Sequence, residues 1–132
     1  MSALEEAIFT RATTGPTLQP LIGTRCYPVL LPQNPTYPAV TFQRISTPRE
    51  HAMVADPGVA HPRFQLTAYD KTRALAQTLA EAIRKDFARW RGTVAGVVIQ
   101  DTFVENAFDL PRDDLLEVHP VPVDLVVHHV ET

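Results

Sequence analysis

Two periodicities meet in the stretch RFQLTAYDKTRALAQTLAEAIRKDF, Arg63 to Phe87. Up to Tyr69, apolar and polar residues alternate. Phe64, Leu66 and Ala68 therefore face one side of a strand, and Arg63, Gln65 and Thr67 the other. From Lys71 the apolar residues recur every three or four. Leu75, Leu79, Ile83, Phe87 and Trp90 line one helical stripe, with Ala76 and Ala80 beside them. Asp70, at the junction, reads as the helix N-cap, accepting from the amide of Thr72 or Arg73. Glu81 and Lys85 are a favourable pair four apart. Lys85, Arg89 and Arg91 complement the negative helix end, and Gly92 supplies the stop. The pattern predicts a strand that runs directly into a long helix packed against a sheet.

The same reading applies elsewhere. Ser2 caps a first helix with Glu5 three residues on, and Leu4, Ala7, Ile8 and the stem of Arg11 give it an apolar face. Gly15 and Pro16 end it. TLQPLIGTR is a connector with one helical turn. CYPVL is a short strand, made an edge or an irregular one by Pro28. AVTFQRIS, residues 39–46, alternates with Val40 and Phe42 on one face. GVVIQDTFVEN puts Asp101 on the same face as Val97, Ile99 and Phe103, which predicts a bulge or a register change. AFDLPRDDL is a turn region. The closing strand places Val121, Val123, Leu125 and Val127 on one face. Pro120 and Pro122 both lack an amide on one edge of it, so that edge is unpaired there or the strand bends.

Thr47 to Pro62 shows no period and reads as a long connection between the strands 39–46 and 63–69. A connection of this length in a small domain is functional or mobile. Arg49, His51, Met53, Val54 and Asp56 within it are the candidate contacts to another subunit or partner.

Composition narrows the classes. A chain of 132 residues fits one domain, residues 1–132. Its 45% hydrophobic and 20% charged content is ordinary for a globular fold. The net charge of −3 gives no basic balance for nucleic acid, and no apolar run is long enough to predict a membrane span. The N-terminus carries two acids before its apolar residues, unlike a secretory signal. A single cysteine, Cys26, rules out an internal disulfide. Twelve prolines, about 9% against a usual ~5%, punctuate the chain but spare Lys71–Arg91.

No reactive constellation stands out. His128 and His129 are adjacent and face opposite sides of a strand; His119 and His129 share a face but lie about 33 Å apart if extended. His51 and His61 flank the long connection without a ligand spacing. Cys26 sits beside Arg25 with no thiol-protease signature and reads as a small packed strand residue. Asp109, Asp113 and Asp114 lack the oxygen spacing of a calcium loop. These residues predict an α+β fold with no cofactor and no metal site.

The chain resembles the phage tail-completion proteins, the tail terminators or tail-to-head joining proteins of long-tailed phages and gene-transfer agents. Three stretches carry the resemblance: a helix followed by LIGTRCYPVLLPQNPTYPAVTFQRIS, then RFQLTAYDKTRALAQTLAEAIRKDF, then LLEVHPVPVDLVVHHV. Thr47–Ala60 and the doubled histidine depart from the pattern. The resemblance implies a small α/β sandwich, a mixed and mostly antiparallel sheet with two helices on one face. It implies a structural protein of the virion, at the tail-neck junction, assembled in the host cytoplasm. Its copies would form a ring, typically a hexamer, that ends the tail tube. The implied partners are the tail-tube protein and the head connector or adaptor. DNA would pass through the bore without specific binding, and no membrane is involved. The alternatives are another neck or head-completion component, or a small hydrolase using Cys26 or a histidine cluster.

Overall fold

The computed structural model of the chain describes residues 2–46, 59–60 and 62–130. Helix α1 (Ala3–Thr14) begins as the sequence predicts. The Ser2 hydroxyl accepts from the Glu5 amide at 3.3 Å and donates to the Glu5 carboxylate at 3.2 Å. Leu4, Ala7, Ile8 and Ala12 are buried. Gly15 ends α1, and a single turn, α2 (Gln19–Ile22), follows.

The strands are β1 (Cys26–Pro28), β2 (Ala39–Ser46), β3 (Val59–Ala60), β4 (Arg63–Asp70), β5 (Gly92–Val94), β6 (Val97–Ala107) and β7 (His119–Val130); α3 (Arg73–Phe87) lies between β4 and β5. They form one sheet in the order β1-β2-β4-β7-β6-β5, with β3 also paired to β7. Only β1–β2 is parallel; the other pairs are antiparallel, so the sheet is mixed and mostly antiparallel. The core joins α1 and α3 to one face of the strands: Ile8, Leu79, Ile83 and Phe87 pack with Phe42, Phe64, Leu66, Val123, Leu125 and Val127. That face is the one the alternation predicts in β2, β4 and β7.

Several local expectations are corrected. Asp70 is not the cap of α3. It is the last residue of β4, in register with His119, and its carboxylate accepts from the Lys71 amide at 2.8 Å. The strand holds Asp70 in the ladder, so the chain needs two more residues to turn. The cap passes to Thr72, whose hydroxyl accepts from the Leu75 amide at 3.2 Å. The buried arc of α3 runs through Ala76, Leu79, Ala80, Ala82, Ile83, Asp86 and Phe87, while Leu75 is 52% exposed. Glu81 pairs with Arg84, not Lys85, because the guanidinium fork reaches both carboxylate oxygens. Gly92 does not stop the helix. α3 ends at Phe87, Ala88 is extended, and Arg89 turns the chain at φ 60. Trp90 lies beyond the helix yet is buried edge-on against Phe87 at 5.4 Å.

Gly92 instead opens β5, a strand absent from the sequence reading. It forms a hairpin with β6 through Ala95 and Gly96, both at positive φ. In β6 the register shifts between Ile99 and Asp101 and again between Val104 and Asn106. The first shift resolves the conflict at Asp101. Val97, Ile99 and Thr102 are buried, and Asp101 reaches out to Arg89 at 2.7 Å. The paired prolines also find their explanation. The β6–β7 ladder stops at Ala107↔Val123. Beyond it, the amides of Phe108 and Leu110 donate to the carbonyls of Pro122 and Pro120 at 3.1 and 3.2 Å. On that edge β7 only accepts, so the missing amides cost nothing.

Candidate functional site

Arg49, His51, Met53, Val54 and Asp56, the contacts expected from the long connection, lie outside the described residues, as does His61. The two strands they join do pair, Ala39–Ser46 against Arg63–Asp70, as the sequence predicts.

The chemical candidates resolve into structural roles. Cys26 is 3% exposed, and burial pushes its thiol up to about 12. At neutral pH it is protonated and packed, as a free cysteine in a core behaves. His128 stands edge-on to Phe103 at 5.2 Å, and the guanidinium of Arg89 lies over the same ring at 4.9 Å. No group of three His, Cys, Asp or Glu side chains among the described residues could hold a metal ion. Asp109 joins Arg73 at 2.8 Å and faces Gln77; the Arg73 hydrogen bond is the main cause that holds its carboxyl below the usual range. Asp113 accepts from the amides of Leu115 and Leu116, and Asp114 pairs with Arg112 at 2.7 Å.

One residue that periodicity misses organises the helical layer. Asp86 is 1% exposed on the buried arc of α3. Its carboxylate accepts from the amide of Thr17 at 3.1 Å and from that of Leu18 at 2.8 Å, and its carbonyl accepts from Arg11 Nε at 2.7 Å. It thus ties the turn between α1 and α2 to α3. An acid flanked by Lys85 and Phe87 carries no sign of this role, since the amides it serves lie far away in the chain.

Several features of the described surface are apolar. Where β4 ends and β7 begins, a hollow of about 390 Å³ is walled by Pro20, Leu21, Tyr37, Pro38, Leu75 and Leu79. Leu21 and Leu75 are 37% and 52% exposed. The segment before β7 presents Leu110, Leu115 and Leu116, with Leu115 at 94% exposure. A second apolar stretch follows β1, where Val29 adopts φ 64 and Leu30 stands out at 76%. Across the helix-free face runs a polar row: Gln43 donates to Gln65, and Gln65 to Asp124 at 2.9 Å.

Residues 6–127 match the family model described as tail completion protein gp17. Among solved structures, a chain of the "Virion of native gene transfer agent (GTA) particle" superposes with a TM-score of 0.70 at 16% identity. The match covers 96% of this chain and 94% of that one. At that identity the likeness is one of fold. No curated protein matches in sequence.

Proposed function

Because this chain belongs to the tail completion gp17 family, we propose that it is the subunit of a ring that ends the tail tube and joins the tail to the head connector. Family membership makes it a structural component of the phage tail, carried in the virion. The finer reading, a ring of copies at the tail-neck junction, rests on one observation above others. The match to the tail completion model runs from α1 into β7, over residues 6–127, so the family's role is the reading that covers the chain most fully.

Other features support a role in assembly. Leu21, Leu75, Leu110, Leu115 and Leu116 are exposed on the segments around the end of β4 and the start of β7, where a partner can cover them. The proposed partners are further copies of the chain, six if the ring has the size the resemblance implies, with the tube protein on one side and the connector on the other. The net charge of −3 suits a bore through which DNA slides without being gripped. The role calls for no cofactor and no catalytic group. A hydrolase built on Cys26 finds no support in a thiol pushed up to about 12.

Cryo-electron microscopy of intact particles tests the placement. The expected result is a ring of this fold between the last tube ring and the connector. Finding the chain in the capsid shell or along the tube would overturn it.

A further inference from the structure

We propose that the turn carrying Leu115 of one copy seats in the hollow between α2, Tyr37–Pro38 and α3 of the next copy, an inference that rests on the ring reading above. Leu115 is the most exposed large apolar side chain of the described residues, at 94%. Its turn is already fixed. The Asp113 carboxylate accepts from the amides of Leu115 and Leu116 at 3.0 Å each, and Asp113 and Val118 exchange both backbone bonds at 2.8 and 3.2 Å. A leucine held outward on a rigid turn loses little conformational freedom on docking.

The hollow supplies the other half. Its volume of about 390 Å³ lies within the range of clefts that enclose a bound group, and its wall is mainly apolar. The charges also match. Lys71, next to the Asp70 that lines the hollow, is exposed; Glu117, next to Leu116, is exposed and held at φ 57. Among the described residues neither has an ion-pair partner, so the turn brings a carboxylate to a rim that offers an ammonium.

Leu115 stands clear of its own hollow, as its exposure requires. Turn and hollow share no residue, so a turn of one copy entered into the hollow of the next makes a head-to-tail contact, which repeats around an axis. Both lie where β4 ends and β7 begins, at the Asp70↔His119 pair. Neighbouring copies therefore converge at this end of the sheet.

Sedimentation velocity of the full chain, free and on tail tubes of the parent particle, tests the contact. Leu115→Asp is expected to raise the concentration for half-assembly about tenfold or more, with an unchanged melting temperature. Lys71→Glu is expected to weaken assembly, and adding Glu117→Lys to restore it. Native-like assembly by Leu115→Asp, or no recovery in the double variant, overturns the proposal. Native assembly that stops at dimers also overturns it, because the contact would then be mutual. A native chain that assembles in neither setting sinks the ring reading itself, whereas a ring that survives Leu115→Asp sinks only this contact.

Discussion

Replacing Gly15 with alanine should be far more damaging than its backbone suggests. Gly15 sits at φ −60 and ψ 141, a conformation open to any residue. The obstacle is steric. An added Cβ would fall 2.2 Å from Asp86 Oδ2, 2.8 Å from its Cγ and 2.9 Å from the Arg11 carbonyl oxygen. Asp86 cannot swing aside freely, because its carboxylate holds the amides of Thr17 and Leu18. Leaving a buried donor unsatisfied costs about 1–3 kcal/mol. Displacing Asp86, or deleting it in Asp86→Ala, therefore costs roughly 2–5 kcal/mol, part of which relief of the buried charge offsets. Against a total stability of about 5–15 kcal/mol this is large. Each single variant should melt on the order of 10 °C lower. Asp86→Ala removes the clash with the carboxylate and leaves only that with the Arg11 carbonyl, so Gly15→Ala should cost less when Asp86 is already alanine. Urea denaturation of the native chain, both single variants and the double variant closes the cycle. A coupling of at least ~1 kcal/mol is expected. Additivity within about 0.5 kcal/mol, the level seen for independent sites, would refute the reasoning.

Thr72→Ala should lower stability by about 1 kcal/mol in the same assay, as loss of an N-cap does. Leu79→Asp should unfold the protein, because Leu79 is 1% exposed and a lone buried charge costs several kcal/mol; Leu75→Asp, at a half-exposed site, should keep its circular dichroism and melting curve. Cys26 should resist a thiol reagent at pH 8 until denaturant is added. The sign of its pH effect follows from the raised value: folded and unfolded chains are both protonated below about 9, and the unfolded chain ionises first above that. Stability measured by denaturant titration should therefore hold through neutral pH and fall as pH rises from 9 towards 12.

Much of the scaffold was legible because it is local. The alternation in β2, β4 and β7 marks the buried face, and Ser2 with Glu5 starts α1 within three residues. The errors came where a neighbour distant in sequence decides the outcome. Asp70 has the chemistry of a cap, but pairing with β7 keeps it in the strand and leaves the cap to Thr72. Leu75 fits the helical period, yet it lies at the margin of the buried arc, on the rim of the hollow. β5 is three residues long, too short to show a period, and its sign was the Ala95-Gly96 turn. The hollow draws on α2, β4, α3 and the Tyr37–Pro38 segment, so no single stretch could announce it. The leucines before β7 are visible in the sequence, but their exposure depends on how Asp113 folds the turn beneath them.

The central claim is that this chain closes the tail and connects it to the head. The most direct measurement is electron microscopy of particles assembled without it. The account predicts tail tubes of uncontrolled length that lack heads, beside heads that lack tails, with normal particles restored when the chain is supplied. Particles with tails of normal length, joined to heads in its absence, would contradict it.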